Sequence, residues 1–157
     1  VLTDPNGNRS AVAFDLRGFV AATAVMGKTT ETVGDLLTAF TLDLTPTEID
    51  AFHDALDPRT VAPPLLGNAT TRLVYDLHRF MNTRAAAPGD PSKWQAPFSA
   101  IVSRVTHVSD LPAGGSTAVQ IAFSYSDGYG REIQKKLQSS CIPIPCFMKA
   151  MRQGDDV

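Results

Sequence analysis

The chain has 157 residues, 43% of them hydrophobic and 19% charged, with a formal net charge of −2, which suits one ordinary domain with a buried core and argues against disorder. A charge so near zero offers no basic field for nucleic acid, and no apolar run approaches the roughly 20 residues that span a bilayer. A soluble protein with no nucleic-acid partner and no membrane-spanning segment is expected, and the start Val1-Leu2-Thr3, without Met or a charged-then-apolar leader, reads as a fragment of something longer.

The first element is a turn, Asp4-Pro5-Asn6-Gly7-Asn8, followed by strands over residues 9–14 and 19–25 that reverse through Asp15 to Gly18. After Gly27 the texture turns polar, and the spacing of Leu36, Leu37 and Phe40 suggests a helical turn or two. A firm helix follows within residues 45–57. Thr45 is its N-cap, Pro46 its first position and Glu48 the partner in a capping box, with Ile49, Phe52 and Leu56 on one stripe and Asp57-Pro58 as its stop. Three apolar side chains do not stabilise a helix alone, so it should cover a sheet edge or face. Residues 61–67, with Pro63-Pro64, read as extended. Residues 70–75 form a strand that turns at Asp76 and resumes near Phe80. Residues 85–92 are linker-like, with Trp94 and Phe98 as apolar anchors beyond them.

The clearest signal lies in residues 117–138. Val119, Ile121, Phe123 and Tyr125 alternate with Ala118, Gln120, Ala122 and Ser124, the period of a half-buried strand. Asp127-Gly128-Tyr129-Gly130 then supplies glycines for a tight reversal, and residues 131–138 return as a second strand. On it Glu132, Gln134, Lys136 and Gln138 form a wholly polar face, so the sheet should have one wet side. With the strand over 98–108, a three-stranded meander results. The tail from Ser139 to Val157, with two prolines between Cys141 and Cys146, excludes a central strand and is read as a divergent segment of unknown structure.

The order aromatic, Asp, two residues, Gly recurs. Phe14-Asp15 precedes Gly18, Tyr75-Asp76 precedes Arg79 in place of Gly, and Tyr125, Asp127, Gly128 and Gly130 form the third copy. An Asp before a tight turn accepts backbone N–H bonds from it, the Gly relieves a left-handed position, and the aromatic packs on the sheet. Asp15, Gly18, Tyr75, Asp76, Tyr125, Asp127, Gly128 and Gly130 are thus expected to be structural repeat turns.

The strings DPNGNRSAVAFD, RGFVAATAVMGK, LTPTEIDAF, LLGNATTRLVYDLHRF, HVSDLP and FSYSDGYGREIQKK, in that order over residues 1 to about 138, resemble the repeat-bearing shell region of the B component of the Tc insecticidal toxin complexes, a family related to virulence plasmid protein B. The resemblance implies a mainly β fold of antiparallel Rhs or YD-repeat hairpins winding into a shell, with the helix as an insert. It implies a secreted, extracellular virulence assembly, in which the remainder of the shell, an encapsulated effector and a pore-forming component are the partners. It ends at Ser139.

Residues that carry chemistry are sparse. His53, His78 and His107 lack metal-ligand spacing and read as surface or packing histidines. Cys141 and Cys146 could make a disulfide or half of a metal site, though plain thiols are favoured. Gly27-Lys28-Thr29 mimics the end of a phosphate loop, but Ala22 stands where its first Gly belongs. No Ser, Cys or Thr has an identifiable base, and the turn aspartates need no acid–base role. No catalytic residue, cofactor or metal site is expected.

Two functions remain: a non-catalytic segment of an effector-encapsulating shell, or a self-contained β module that binds a glycan or partner protein through Tyr125, Tyr129 and Trp94. On the shell reading the isolated chain should fold poorly, because three hairpins and one helix bury little against each other.

Overall fold

The computed structural model describes residues 1–138, so the tail with Cys141 and Cys146 lies outside the described residues. The fold is mainly β. Seven strands form one antiparallel sheet in strict chain order: β1 (Leu2–Thr3), β2 (Arg9–Phe14), β3 (Val20–Met26), β4 (Thr71–Asp76), β5 (Phe98–Arg104), β6 (Val119–Ser126) and β7 (Glu132–Gln138). Three helices, α1 (Pro46–Asp54), α2 (Ala62–Leu66) and α3 (Arg79–Ala86), lie in the connections on either side of β4.

Three of the six connections share one construction. The loops over residues 4–8, 15–19 and 127–131 follow the paired residues Thr3–Arg9, Phe14–Val20 and Ser126–Glu132, and each reads Asp-x-x-Gly-x. In each, the Asp Oδ1 accepts the N–H of the third and the fifth loop residue: Asn6 and Asn8 on Asp4, Arg17 and Phe19 on Asp15, Tyr129 and Arg131 on Asp127. The Asp N–H donates to the carbonyl of the fifth residue in all three, at 2.9–3.1 Å. The fourth position is Gly7, Gly18 or Gly130, at φ of +84°, +83° and +85°. Beyond the second and third loops the return strand carries one extra residue, Ala21 or Ile133, opposite a single step of its partner.

The left-handed φ explains the glycine. A Cβ on Gly130 would meet nothing within 4 Å, so any penalty there is backbone strain alone. Gly130→Val is expected to destabilise by about 1–2 kcal/mol, because a β-branched residue is poorly accommodated at positive φ. An unchanged urea midpoint would show that the loop tolerates another geometry.

The Tyr75-Asp76 segment departs from this construction. With Arg79 at the fourth position the chain does not turn back; Asp76 ends β4 and α3 begins at Arg79, so no strand resumes near Phe80. Arg, Met and Ala favour the helix. The third copy of the loop is instead the opening one at Asp4. Residues 61–67 are also not extended, because Pro63 and Pro64 stand in the first turn of α2, where a missing N–H is tolerated. Leu36, Leu37 and Phe40 form no helix.

α1 has both arms of its capping box, Glu48 N–H to Thr45 Oγ1 and Thr45 N–H to the Glu48 carboxylate. It buries Phe52 and half-buries Ile49, whereas Leu56 lies beyond its end and is fully exposed. Phe52 stacks on Phe123 at 5.4 Å between ring centres. Together with Leu66, Val74, Phe98, Val102 and Ile121 these residues form the core, so the helical layer covers one face of the sheet.

The register decides what the other face carries. Ala13, Ala22, Arg72, Val102, Ile121 and Gln138 form one cross-strand row on the covered side. Leu73, Ile101, Ala122 and Leu137 form a row on the open side. Because Phe123 pairs with Lys136 and Ala122 with Leu137, the apolar faces of β6 and β7 point to opposite sides. Gln134, Lys136 and Gln138 therefore lie on the core side, beyond the helical cover, while the extra residue Ile133 puts Glu132 on the open side, where it accepts from the Ser124 hydroxyl, and the open side is mixed. Thr23 and Thr71 bond across it at 2.6 Å, while Val12, Val25, Ile101 and Leu137 are exposed.

Candidate functional site

On the covered side a groove of about 720 Å³ runs beside α1 and α3. Its walls carry Asp15, Asp43, Asp50, Asp54 and Asp76, with Arg17, Arg72 and Arg79 among them. Three of these carboxylates, Asp50, Asp54 and Asp76, surround the buried Arg79.

Arg79 is its centre. The position that fails to make a turn starts α3, and this places the side chain, 5% exposed, under α1. Its guanidinium pairs with Asp50 at 2.9 Å, Asp54 at 2.7 Å and Asp76 at 3.3 Å, donates to Gln95, and sits over the Phe98 ring at 5.7 Å. Four of its five N–H donors are used on these partners. Asp54 is shared with His53 Nδ1 at 2.6 Å, and the other ring nitrogen of His53 lies 3.5 Å from the Tyr125 hydroxyl, with the imidazole 4.7 Å from the Phe98 ring. Aspartate, histidine and tyrosine thus stand in line, but this line joins α1 to β6 inside an aromatic cluster. It holds a helix on a sheet.

Arg72 stands alone in the covered row between Ala22 and Val102. Its guanidinium donates to the carbonyls of Thr41 and Leu42 and lies 4.4 Å above the Phe40 ring, which fastens the irregular segment after β3 to the sheet. Burial pulls its pKa down to about 10, so it stays charged at neutral pH. Its Nε is buried without a partner among the described residues.

A second buried centre lies at Asp35, fully enclosed after β3. Thr70 donates its hydroxyl to Oδ2, the Val108 N–H donates to Oδ1 at 2.8 Å, His107 Nδ1 lies 2.7 Å from Oδ2, and Arg104 Nε is 3.4 Å from Oδ1. Arg104 in turn donates to the carbonyls of Ala69 and Gly67. Both ends of the β3–β4 connection and the start of the β5–β6 connection meet on this one carboxylate. Burial pushes the Asp35 carboxyl up, but the Thr70, Val108 and His107 donors and the Arg104 charge outweigh it and hold the group below its ordinary range.

The turn aspartates behave alike. The Asn8 side chain and the loop N–H groups lower Asp4, and the Tyr129 N–H leads the donors that lower Asp127. At Asp15 burial acts upward and is outweighed by the Phe19 N–H and by Arg17. Groups depressed in the folded state stabilise it fully above the ordinary carboxylate pKa of about 4, and that contribution is lost as pH falls through the folded values. The urea midpoint is therefore expected to be level from pH 6 to pH 5 and to drop steeply below about pH 4. A midpoint at pH 3 equal to that at pH 6 would contradict these assignments.

The predicted turn residues are not brought together. Asp15 and Gly18 lie at one hairpin tip and Asp127, Gly128 and Gly130 at another, while Tyr75 packs on Phe19 at 5.4 Å and donates its hydroxyl to the Val20 carbonyl. Tyr125 belongs to the core cluster, with Phe98 and Phe123 each at 6.1 Å. Trp94 packs edge-on against Phe80, and Tyr129 projects at a hairpin tip, 89% exposed, so Tyr125, Tyr129 and Trp94 share no surface. Arg79 and Asp35 were missed as organising residues. The only sequence signal for Arg79 was its intrusion at a glycine position. Among the described residues no group of three or more His, Cys, Asp or Glu side chains is placed to hold a metal ion, and no helix is long and apolar enough to cross a membrane. Comparison with known proteins found no matching family model, no matching curated protein and no matching solved structure.

Proposed function

We propose that the chain is a non-catalytic wall segment of a β shell that encloses a toxic effector, as in the B component of the Tc complexes that its sequence strings resemble. The observation that carries this reading is the thrice-used Asp-x-x-Gly-x loop: one local device, with the same hydrogen bonds and the same left-handed glycine, reverses the chain at Asp4, Asp15 and Asp127. Such a device makes sheet by repetition, as a wall requires. The sheet suits that role in two further ways. Among the described residues it is covered on one side only, and its two outermost strands, β1 and β7, each pair on one side only. The charged groove fits the same account, because Arg79, 5% exposed, spends four of its five N–H donors on Gln95 and on carboxylates of α1 and the end of β4, binding these elements to α3.

The glycan- or protein-binding module is less well supported, because Tyr125, Tyr129 and Trp94 lie in separate surroundings. The test is electron microscopy of the product of the complete reading frame that encodes this chain. A hollow, closed particle is the expected result; a product consisting of this one sheet contradicts the proposal.

A further inference from the structure

We propose that the outer edge of β7 docks an extended acidic segment of another polypeptide, which adds to the sheet as an antiparallel strand with two consecutive carboxylates against Lys135 and Lys136. This stands on the edge itself and does not rest on the shell reading.

β7 is the last strand of the sheet and pairs only with β6, so its outer N–H and C=O groups have no strand beside them among the described residues. It contains no proline, and from Gln134 to Gln138 its pairing with β6 runs without irregularity. All of it except Gln138 is exposed. Exposed edges of this kind take up an added strand, main-chain bonds giving affinity and side chains selectivity.

The side chains specify the occupant. Lys135 pairs with Ser124 on the open side and Lys136 with Phe123 on the core side, so each face of the edge presents one ammonium group. Lys136 is held over the Tyr125 ring at 5.0 Å. Neither ammonium group forms an ion pair within 4 Å among the described residues: Glu132 accepts from the Ser124 hydroxyl, and Asp127 is bound by Arg131. Leu137, 73% exposed beside Ala122, calls for an apolar neighbour one step from the carboxylates.

A second copy is a poor occupant. The two-fold antiparallel registers that pair most of β7 centre on Lys135 or Lys136 and set ammonium against ammonium, which is destabilising. A register centred on Gln134 runs into the extra residue at Ile133, where the ladder is broken.

The experiment uses the whole 157-residue chain and two synthetic ten-residue peptides of alternating Thr and Val, one with Ile-Glu-Glu at its centre and the other with Ile-Lys-Lys. Binding is read by fluorescence anisotropy at about 20 and 200 mM salt, and the contact by amide hydrogen exchange. The acidic peptide is expected to bind at least about tenfold more tightly at low salt, with the preference shrinking at high salt, and to slow exchange in β7. The double variant Lys135→Glu, Lys136→Glu is expected to prefer the lysine peptide, its folding being checked by circular dichroism. Equal affinity for both peptides overturns the proposal, as does slowed exchange elsewhere than β7, or dimers whose β7 amides are protected without peptide.

Discussion

Asp35→Ala is expected to lower the unfolding free energy by about 3–5 kcal/mol, the range for removing one partner of a buried ion pair. The carboxylate is completely enclosed, and Arg104, 3% exposed, keeps its charge when Asp35 is gone. The Thr70 hydroxyl and the Val108 N–H lose their acceptor at the same time, and partly buried donors without partners add to the cost. The loss should be largest near neutral pH and shrink below about pH 4, where the wild-type carboxyl loses its own contribution. Asp35→Asn keeps an acceptor oxygen but not the charge, and is expected to lie between the two. Urea titrations of the three proteins decide this, and a midpoint unchanged by Asp35→Ala would remove Asp35 from the framework.

Arg79→Ala is expected to cost about 2–4 kcal/mol, somewhat less than a fully buried pair, because the carboxylates it leaves behind can hydrate. Asp50 and Asp54 are 61% and 58% exposed in their side chains, whereas Asp76 is 16% exposed and carries more of the loss. Removing the aliphatic stem also opens space above Phe98. Arg79→Lys should recover only part of the loss, because an ammonium cannot reach Asp50, Asp54, Asp76 and Gln95 together as the planar fork does. If the groove were a binding site with Arg79 as its ligand contact, Arg79→Ala would leave the urea midpoint near that of the wild type. That outcome would overturn the structural role.

The sequence revealed elements governed by local rules. The capping box of α1 needs only Thr45, Pro46 and Glu48, and the loops at Asp15 and Asp127 only an Asp and a Gly three residues on. Hairpins accounted for the pairing of β2 with β3 and of β6 with β7, but not for β3 with β4 or β4 with β5, which are joined through helices. What could not be read depended on partners distant in the chain. Leu137 looked like the inner face of its strand, and only the pairing of Ala122 with Leu137 puts it on the open side. Arg79 looked like a spoiled turn, while its three carboxylates come from α1 and the end of β4. Pro63 and Pro64 suggested extended chain because proline suits both an extended segment and a first helical turn. Asp35 sat in a polar stretch with no periodicity, and nothing local marks a residue whose partners stand more than thirty positions away.

The helical layer also revises the expectation that the isolated chain folds poorly. α1 and α2 complete a core with Phe52, Leu66, Phe98 and Phe123, so the covered side should fold cooperatively, and the exposed residues of the other side should drive association instead. The central claim, that this sheet is a wall with one face awaiting contact, is tested most directly by sedimentation across protein concentration. The chain is expected to associate as its concentration rises, and the triple variant Val25→Thr, Ile101→Thr, Leu137→Thr to remain monomeric with an unfolding free energy within about 1 kcal/mol of the wild type. A wild-type chain that stays monomeric throughout would contradict the wall and favour a self-contained module.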